Sequence, residues 1–295
     1  MARQTTTRTL ALLAAAAAAL PAVHAWGAMG HETIAYIASN FVSSATKSYF
    51  QTLLGDTSAD YLASVASWAD SYRYTTAGEF SAPYHYIDAN DNPPSSCGVD
   101  YARDCGAEGC VVSALTNYTT ILLDGRYSAA NHQIAAKFII HFAGDIGQPL
   151  HCENLEVGGN DIDVVYDGDD TNLHAIWDSD IPESISGGSS MTSAKSWATT
   201  LTTAINSGEY KSQAAGWVSG LSVSTTATRQ ATALKWAQEA NAYVCSTVLK
   251  GGINAVENKE LSGAYTTTAD PVVKLQIAKQ GYRLAKYLDA IVAAM

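Results

Sequence analysis

The sequence predicts a mainly α fold. Apolar residues recur at three- and four-residue intervals through most of residues 26–295, and capping residues, Pro and Gly bound the segments so patterned. Two short stretches differ. In HETIAYIASNFVSSATKSYFQTLL, Ile34, Ile37, Ala38, Phe41 and Val42 make one apolar stripe, and SADYLASVASWADSYR repeats the pattern with Leu62, Val65 and Trp68. NHQIAAKFIIHFAGDI takes Asn131 as its N-cap, turns Ile134, Phe138, Phe142 and Ile146 to a core, and is stopped by Pro149. ATALKWAQEANAYVCSTVLKGG ends at a Gly pair, and ADPVVKLQIAKQGYRLAKYLDAIVAA opens with Asp270 as cap and Pro271 in the first turn. Of the two exceptions, APYHYID alternates like a short extended segment. ENLEVGGNDIDVVYDGDDTN is rich in Gly and Asp, with DIDVVY as a small strand.

Residues 1–25 begin with Arg3 and Arg8, run through TLALLAAAAAALPAV and end in Val23-His24-Ala25, the pattern of a secretory signal peptide. The apolar run is shorter than the roughly 20 residues a membrane span needs, so no membrane anchor is expected. Cleavage after Ala25 leaves residues 26–295 as one domain, expected to act as a secreted monomer. Loss of Arg3 and Arg8 takes the formal charge from −11 to −13, which excludes binding long nucleic acid through a basic surface. A polyanionic substrate would have to be attracted locally, for which bound cations suffice. Cys97, Cys105, Cys110 and Cys245 can pair in an exported chain, with Cys105 and Cys110 spaced for a local staple and Cys152 left over. Asn117 starts the chain's one N-glycosylation sequon.

Chemistry concentrates on the histidines. His141 and Asp145 in HFAGD, and His174 and Asp178 in LHAIWD, stand four apart, so each pair shares one helix face. Either pair alone commonly means a core histidine with a hydrogen-bond partner. Together with His31, His85 in its aromatic segment and His151 just after Pro149, they form a set of imidazoles and carboxylates suited to zinc. His132, at a helix start, has no such setting. Five histidines with Asp70, Asp145 and Asp178 are too many ligands for one tetrahedral ion. A multinuclear site is implied, and such sites hydrolyse phosphoesters.

The order WGxxGH, SWAD, YHYID, HFAGD, QPLHCEN and LHAIWD resembles the zinc-dependent single-strand nuclease and 3′-nucleotidase family of fungi and plants. The resemblance covers the chain to about Asp178 with near-constant spacing and runs on more loosely through the C-terminal helices. It implies a single-domain helical fold of the zinc nuclease and phospholipase C type, with a short β-hairpin region, holding three Zn2+. By the family pattern, Asp70, His85, His141 and Asp145 hold one zinc, and Asp145 bridges to a second shared with His31 and the freed N-terminus at Trp26. His151, His174 and Asp178 hold the third. The implied reaction is endonucleolytic cleavage of single-stranded DNA and RNA to 5′-phosphorylated products, with removal of phosphate from 3′-nucleotides.

The same resemblance assigns the remaining roles. Asp70 and Asp145 count among the catalytic residues, and Arg73 stabilises charge on the scissile phosphate; a surface ion pair is its plainer reading. Tyr86 stacks on a base, Asp88 hydrogen-bonds a base edge, and Val157 and Asn160 lie around that pocket. Core packing is the plainer reading of Tyr86. A Cys97 to Cys245 bridge is implied, although Cys245 is displaced by a few residues from the family spacing. Gly147 stands where the family's DxHQPLH has His, and the thiol of Cys152, beside His151, is read as buried rather than as a ligand. The alternative substrate is a phospholipid headgroup, cleaved by bacterial phospholipases C of the same fold. A third reading is a secreted binding protein that keeps zinc for stability alone.

Overall fold

In the computed structural model, which describes residues 26–295, the first helix spans Ala28–Phe41 and buries Ile34, Ile37 and Ala38. The signal peptide read over residues 1–25 lies outside the described residues. This helix packs against the C-terminal helix Ala264–Ala293 and against Met191–Asn206, so its apolar stripe faces two partners. Val42 then turns extended, and the Ser43 side chain accepts from Thr46 N to cap a second helix, Ser44–Leu54.

The described residues are mainly helical, as the apolar periodicity predicts, but several boundaries differ. SADYLASVASWADSYR is not one helix: it forms a 3-10 turn over Ala63–Val65 and a five-residue helix, Trp68–Tyr72. Ser58 N donates to Asp56 Oδ1 at 2.8 Å, a local bond that competes with helix initiation in the preceding turn. The central helix spans Ala129–Asp145 and takes Ser128, not Asn131, as its N-cap, because the Ser128 hydroxyl already accepts from Asn131 N at 3.2 Å. The C-terminal helix begins at Ala264 rather than beyond Asp270. Pro271 lies inside it, removing one intrahelical donor, while the buried face from Ala269 and Val273 to Ile291 holds the helix together. APYHYID is half wrong as an extended segment: Glu79–His85 is a 3-10 helix, and the chain becomes extended only at Tyr86.

The small strand appears as β1, Asp163–Tyr166, paired antiparallel with β2, Asp169–Asn172, in the register Asp163↔Asn172 to Tyr166↔Asp169. Asp167 and Gly168 join them with φ of 52° and 88°, the two-residue turn whose twist matches a hairpin. Cys97 is bonded to Cys245, and Cys105 to Cys110. Cys152 is free and buried, its Sγ 3.7 Å from the Ile146 carbonyl, and burial pushes its thiol pKa up. Asn117 is exposed on the helix Val111–Leu123. No helix among the described residues is long and apolar enough to cross a membrane.

Candidate active site

Two local frames supply two of the candidate pairs. The last turn of the central helix presents His141 and Asp145 on one face, while Phe138 and Phe142 turn into the core beside Tyr118. His174 and Asp178 sit across a short helix and a π-type turn, Leu173–Ala175 and Ile176–Asp180, an irregularity frequent at functional sites. Packing brings the rest. The first helix lays the His31 ring flat on His141 with centroids 3.9 Å apart. Gly144 permits this, because a Cβ there would stand 2.8 Å from His31 Nδ1.

Asp145 is the centre of the first cluster. His31 Nε2 is 3.1 Å from its Oδ1, while His85 Nδ1 and His141 Nε2 are 3.1 and 3.2 Å from its Oδ2. Asp70 Oδ1 lies 3.4 Å from His141 Nε2 and 3.7 Å from His85 Nδ1. In the second cluster His151 Nε2 and His174 Nε2 are 3.1 Å apart, at 3.6 and 3.1 Å from the Asp178 carboxylate oxygens. All eight side chains are buried. The two clusters are joined through the chain, since His151 Nδ1 donates to the His85 carbonyl at 2.8 Å and Ile87 N donates to the His151 carbonyl at 2.9 Å.

These residues fit a divalent metal on their own chemistry. His141, His151 and His174 each commit Nδ1 to a backbone carbonyl, of Ala66, His85 and Gly158, at 2.6, 2.8 and 2.7 Å. That fixes the tautomer and leaves a lone pair on each Nε2. Two such lone pairs facing each other at 3.1 Å beside a carboxylate repel unless a cation lies between them. In the first cluster His31 Nε2 and both Asp145 oxygens are buried without a well-directed hydrogen bond. Three donor sets, His31/Asp70/His141, His85/His141/Asp145 and His151/His174/Asp178, each have one ligand atom per residue within 4.8 Å of the others. His85 differs from the others in offering Nδ1.

The electrostatics agree. Burial lowers the His31 pKa and drives His85 down to about 4, so both are neutral donors. Burial acts the same way on His141, but without a cation the Asp145 and Asp70 carboxylates outweigh it and raise the ring to about 10, so its Nε2 lone pair is free only when a metal takes the place of that proton. Burial would raise Asp145, yet His141 and the bonds from its neighbours hold it well below the usual carboxylate range. Two buried carboxylates thus demand positive charge, which a bound cation provides without protonating a ligand.

Trp26 is fully buried, and Gly27 N donates to the Asp178 carbonyl at 2.7 Å, which pins the start of residues 26–295 beside the second cluster. His132 stays outside both clusters, 3.1 Å from the Asp124 carbonyl. Above the metal sets opens a cleft of about 560 Å³ lined by His85, His151 and His174 together with Arg73, Tyr86, Asp88, Val157 and Asn160. The four residues assigned to the base by the resemblance therefore face one space with Arg73, the residue assigned to the scissile phosphate. Tyr86 is exposed at its wall rather than packed in the core. Arg73 donates to Tyr74 Oη at 3.1 Å and lies 5.0 Å over that ring.

Residues 156–159 all have positive φ, between 48° and 80°, so this segment is a left-handed turn. Val157 sits in it at φ 56° with its side chain 62% exposed, a strained backbone for a β-branched residue. The turn is held by Gly159 N donating to Leu155 O and by His174 Nδ1 donating to Gly158 O. The cleft also contains Tyr74, Glu79, Leu150 and Asn154, which sequence reasoning missed. Gln148 was missed as well: its Nε2 donates to Asp178 Oδ1 at 2.7 Å, and its Oε1 accepts from Leu150 N. Its place in QPLH, between two candidate ligands, was the available signal.

The family model described as S1/P1 Nuclease matches residues 26–293. Nuclease S1 of Aspergillus oryzae is 52% identical over 284 residues, covering 96% of this chain and 98% of the relative. Nuclease P1 of Penicillium citrinum is 48% identical over 266 residues, covering 90% and 97%, and Endonuclease 2 of Arabidopsis thaliana is 32% identical, covering 92% of each. With a match over nearly all of residues 26–295 and a helical frame that gathers the expected His and Asp residues, the chain belongs to the S1/P1 nuclease family.

Proposed function

We propose that this protein is a secreted three-zinc phosphodiesterase that cuts single-stranded DNA and RNA to 5′-phosphorylated products and removes the phosphate of 3′-nucleotides. The observation that carries it is the convergence of the His and Asp donor sets beneath a cleft that also holds Arg73, Tyr86 and Asp88. Asp70, His85, His141 and Asp145 hold one ion. Asp145 would also serve a second, together with His31 and the α-amino nitrogen and carbonyl oxygen of Trp26 after cleavage. His151, His174 and Asp178 hold the third. Removal of residues 1–25 is supported by a family match that starts at residue 26, and export by two disulfides. A free α-amino group has a reference pKa of about 7.7–8.0, so the Trp26 amine would be available as a neutral ligand, whereas the amide present before cleavage is a poor one. The secretory cut is then also an activation step.

Zinc, when bound, supplies Lewis acidity and activates water for attack on phosphorus. The chain supplies the rest. Arg73, at the cleft wall, neutralises charge that builds on the phosphate oxygens in the transition state. Tyr86 and Val157 offer apolar faces to a base, and Asp88 accepts from a base edge. Asn160 Nδ2 is engaged with the Val157 carbonyl at 2.8 Å, which leaves its side-chain oxygen as an acceptor. A base enters such a pocket only when unstacked, so single strands are preferred. The base-directed residues favour nucleotides over a phospholipid headgroup.

The test is zinc content and cleavage of matched single- and double-stranded DNA by the secreted, N-terminally sequenced protein. Three zincs, a Trp26 start and strand-selective cutting that a chelator abolishes are expected. Zinc without nucleic-acid cleavage would overturn the reading in favour of the phospholipid or binding alternatives.

A further inference from the structure

We infer that a second base subsite, for the nucleotide on the 5′ side of the one whose base lies against Tyr86, is formed by the cavity under the Cys105–Cys110 loop. This rests on the nuclease reading above.

The cavity, about 190 Å³, is walled by Pro83, Tyr86, Asp88, Asp104 and the loop residues 106–109. Tyr86 and Asp88 also line the main cleft, so the two spaces share a wall. None of the His and Asp residues of the metal sets lines the second cavity, whereas His85, His151 and His174 line the cleft. The order is therefore metal sets, cleft, Tyr86 and Asp88, second cavity. When a 3′-phosphate sits at the metals, the strand on the 5′ side of that nucleotide leaves in the opposite direction. Tyr86 and Asp88, which separate the cleft from the second cavity, are the wall such a strand would meet.

The chemistry of the walls suits a base rather than a phosphate. The Asp104 carboxylate is already saturated by the Arg103 guanidinium and by Asn90 N and Asp100 N, so it offers no free acceptor to a ligand. Glu108, exposed, and Asp88 on the shared wall make the lining acidic, which repels phosphate, and Glu108 is an acceptor for the amino and imino N–H groups of a second base. Pro83 and Tyr86 add apolar surface for a planar ring. The wall is preformed: a disulfide closes the loop, and Gly109, at φ 98°, lies so close to Tyr84 that a Cβ would stand 2.9 Å from the ring. A subsite built before binding loses little to ordering.

The test compares phosphate release from a 3′-phosphorylated mononucleotide and from a 3′-phosphorylated dinucleotide whose internal linkage is an uncleavable methylphosphonate. The dinucleotide is expected to show a KM lower by about fivefold or more, the range of one base stack. Ala107→Trp and Gly106→Trp, which fill the cavity from exposed loop positions, are each expected to bring the ratio of the two KM values to about one, with mononucleotide turnover reporting the intactness of the metal centre. Equal KM values in the native enzyme, or an advantage that survives both filling variants, would overturn the subsite. Failure of the zinc-loaded enzyme to release phosphate from either substrate would instead overturn the nuclease reading.

Discussion

Gln280 of the C-terminal helix fills the space beside Gly147: a Cβ on Gly147 would stand 2.2 Å from Gln280 Cγ and 2.5 Å from its Nε2. Gln276, one turn earlier, donates to the Gly147 carbonyl at 2.7 Å. The next residue, Gln148, holds Asp178. The C-terminal helix thus braces the turn that orients a proposed metal ligand, at the position where the family pattern has His.

Gly147→Ala is expected to destabilise the protein by about 1–3 kcal/mol through overpacking. Gln280→Ala in the same chain should recover much of that loss. A double-mutant cycle by denaturant unfolding reads the coupling, and strict additivity would refute direct packing of the two residues.

Extra residues retained before Trp26 convert its amine to an amide. Such a chain is expected to stay folded, bind one zinc fewer and lose most activity. Full activity with full zinc content would refute the N-terminal chelate.

Tyr86→Ala removes the aromatic face shared by the cleft and the second cavity. Cleavage of single-stranded DNA should fall by about 5- to 100-fold, the worth of a base stack, while hydrolysis of a small phosphodiester without a base changes little. Equal losses on both substrates would point to damage at the metals.

Val157→Gly relaxes a β-branched residue held at φ 56°. Stability is expected to rise by about 1 kcal/mol, while KM for single-stranded oligonucleotides increases because the exposed side chain in the cleft is gone. Thermal unfolding and steady-state kinetics on one preparation check both signs.

Asp289 accepts from Ser43 N at 2.8 Å, Thr46 Oγ1 at 2.7 Å and Lys286 Nζ at 3.0 Å. Burial alone would raise its pKa, but these bonds outweigh it and hold the carboxyl below the usual range. The folded pKa lies below the unfolded one, so the stabilisation is complete above roughly pH 4 and fades as pH falls through the folded value. Asp289→Asn should cost about 1–2 kcal/mol at pH 7, and the gap to the native chain should close toward pH 2. A pH-independent difference in unfolding free energy would contradict this assignment.

Sequence by itself determined the mainly helical class and the pairing of His141 with Asp145 on one helix face, because a spacing of four fixes one face through backbone geometry; it also paired His174 with Asp178, although these sit across a short helix and a π-type turn. It also located one strand of the hairpin in DIDVVY, while the β2 partner and the Asp167-Gly168 turn came from the structure. It misplaced the Asn131 and Asp270 caps and the start of APYHYID. There, neighbouring donors and acceptors compete for the same backbone groups, and packing decides among them. Only the tertiary structure decided that His31 stacks on His141 across two helices, that His151 ties to the His85 carbonyl, and that a left-handed turn aims Val157 into the cleft. Gln148 on Asp178 and Gln280 on Gly147 belong with these. Each depends on elements distant in the chain meeting within hydrogen-bond or van der Waals range, and the close packing of the whole core sets those distances.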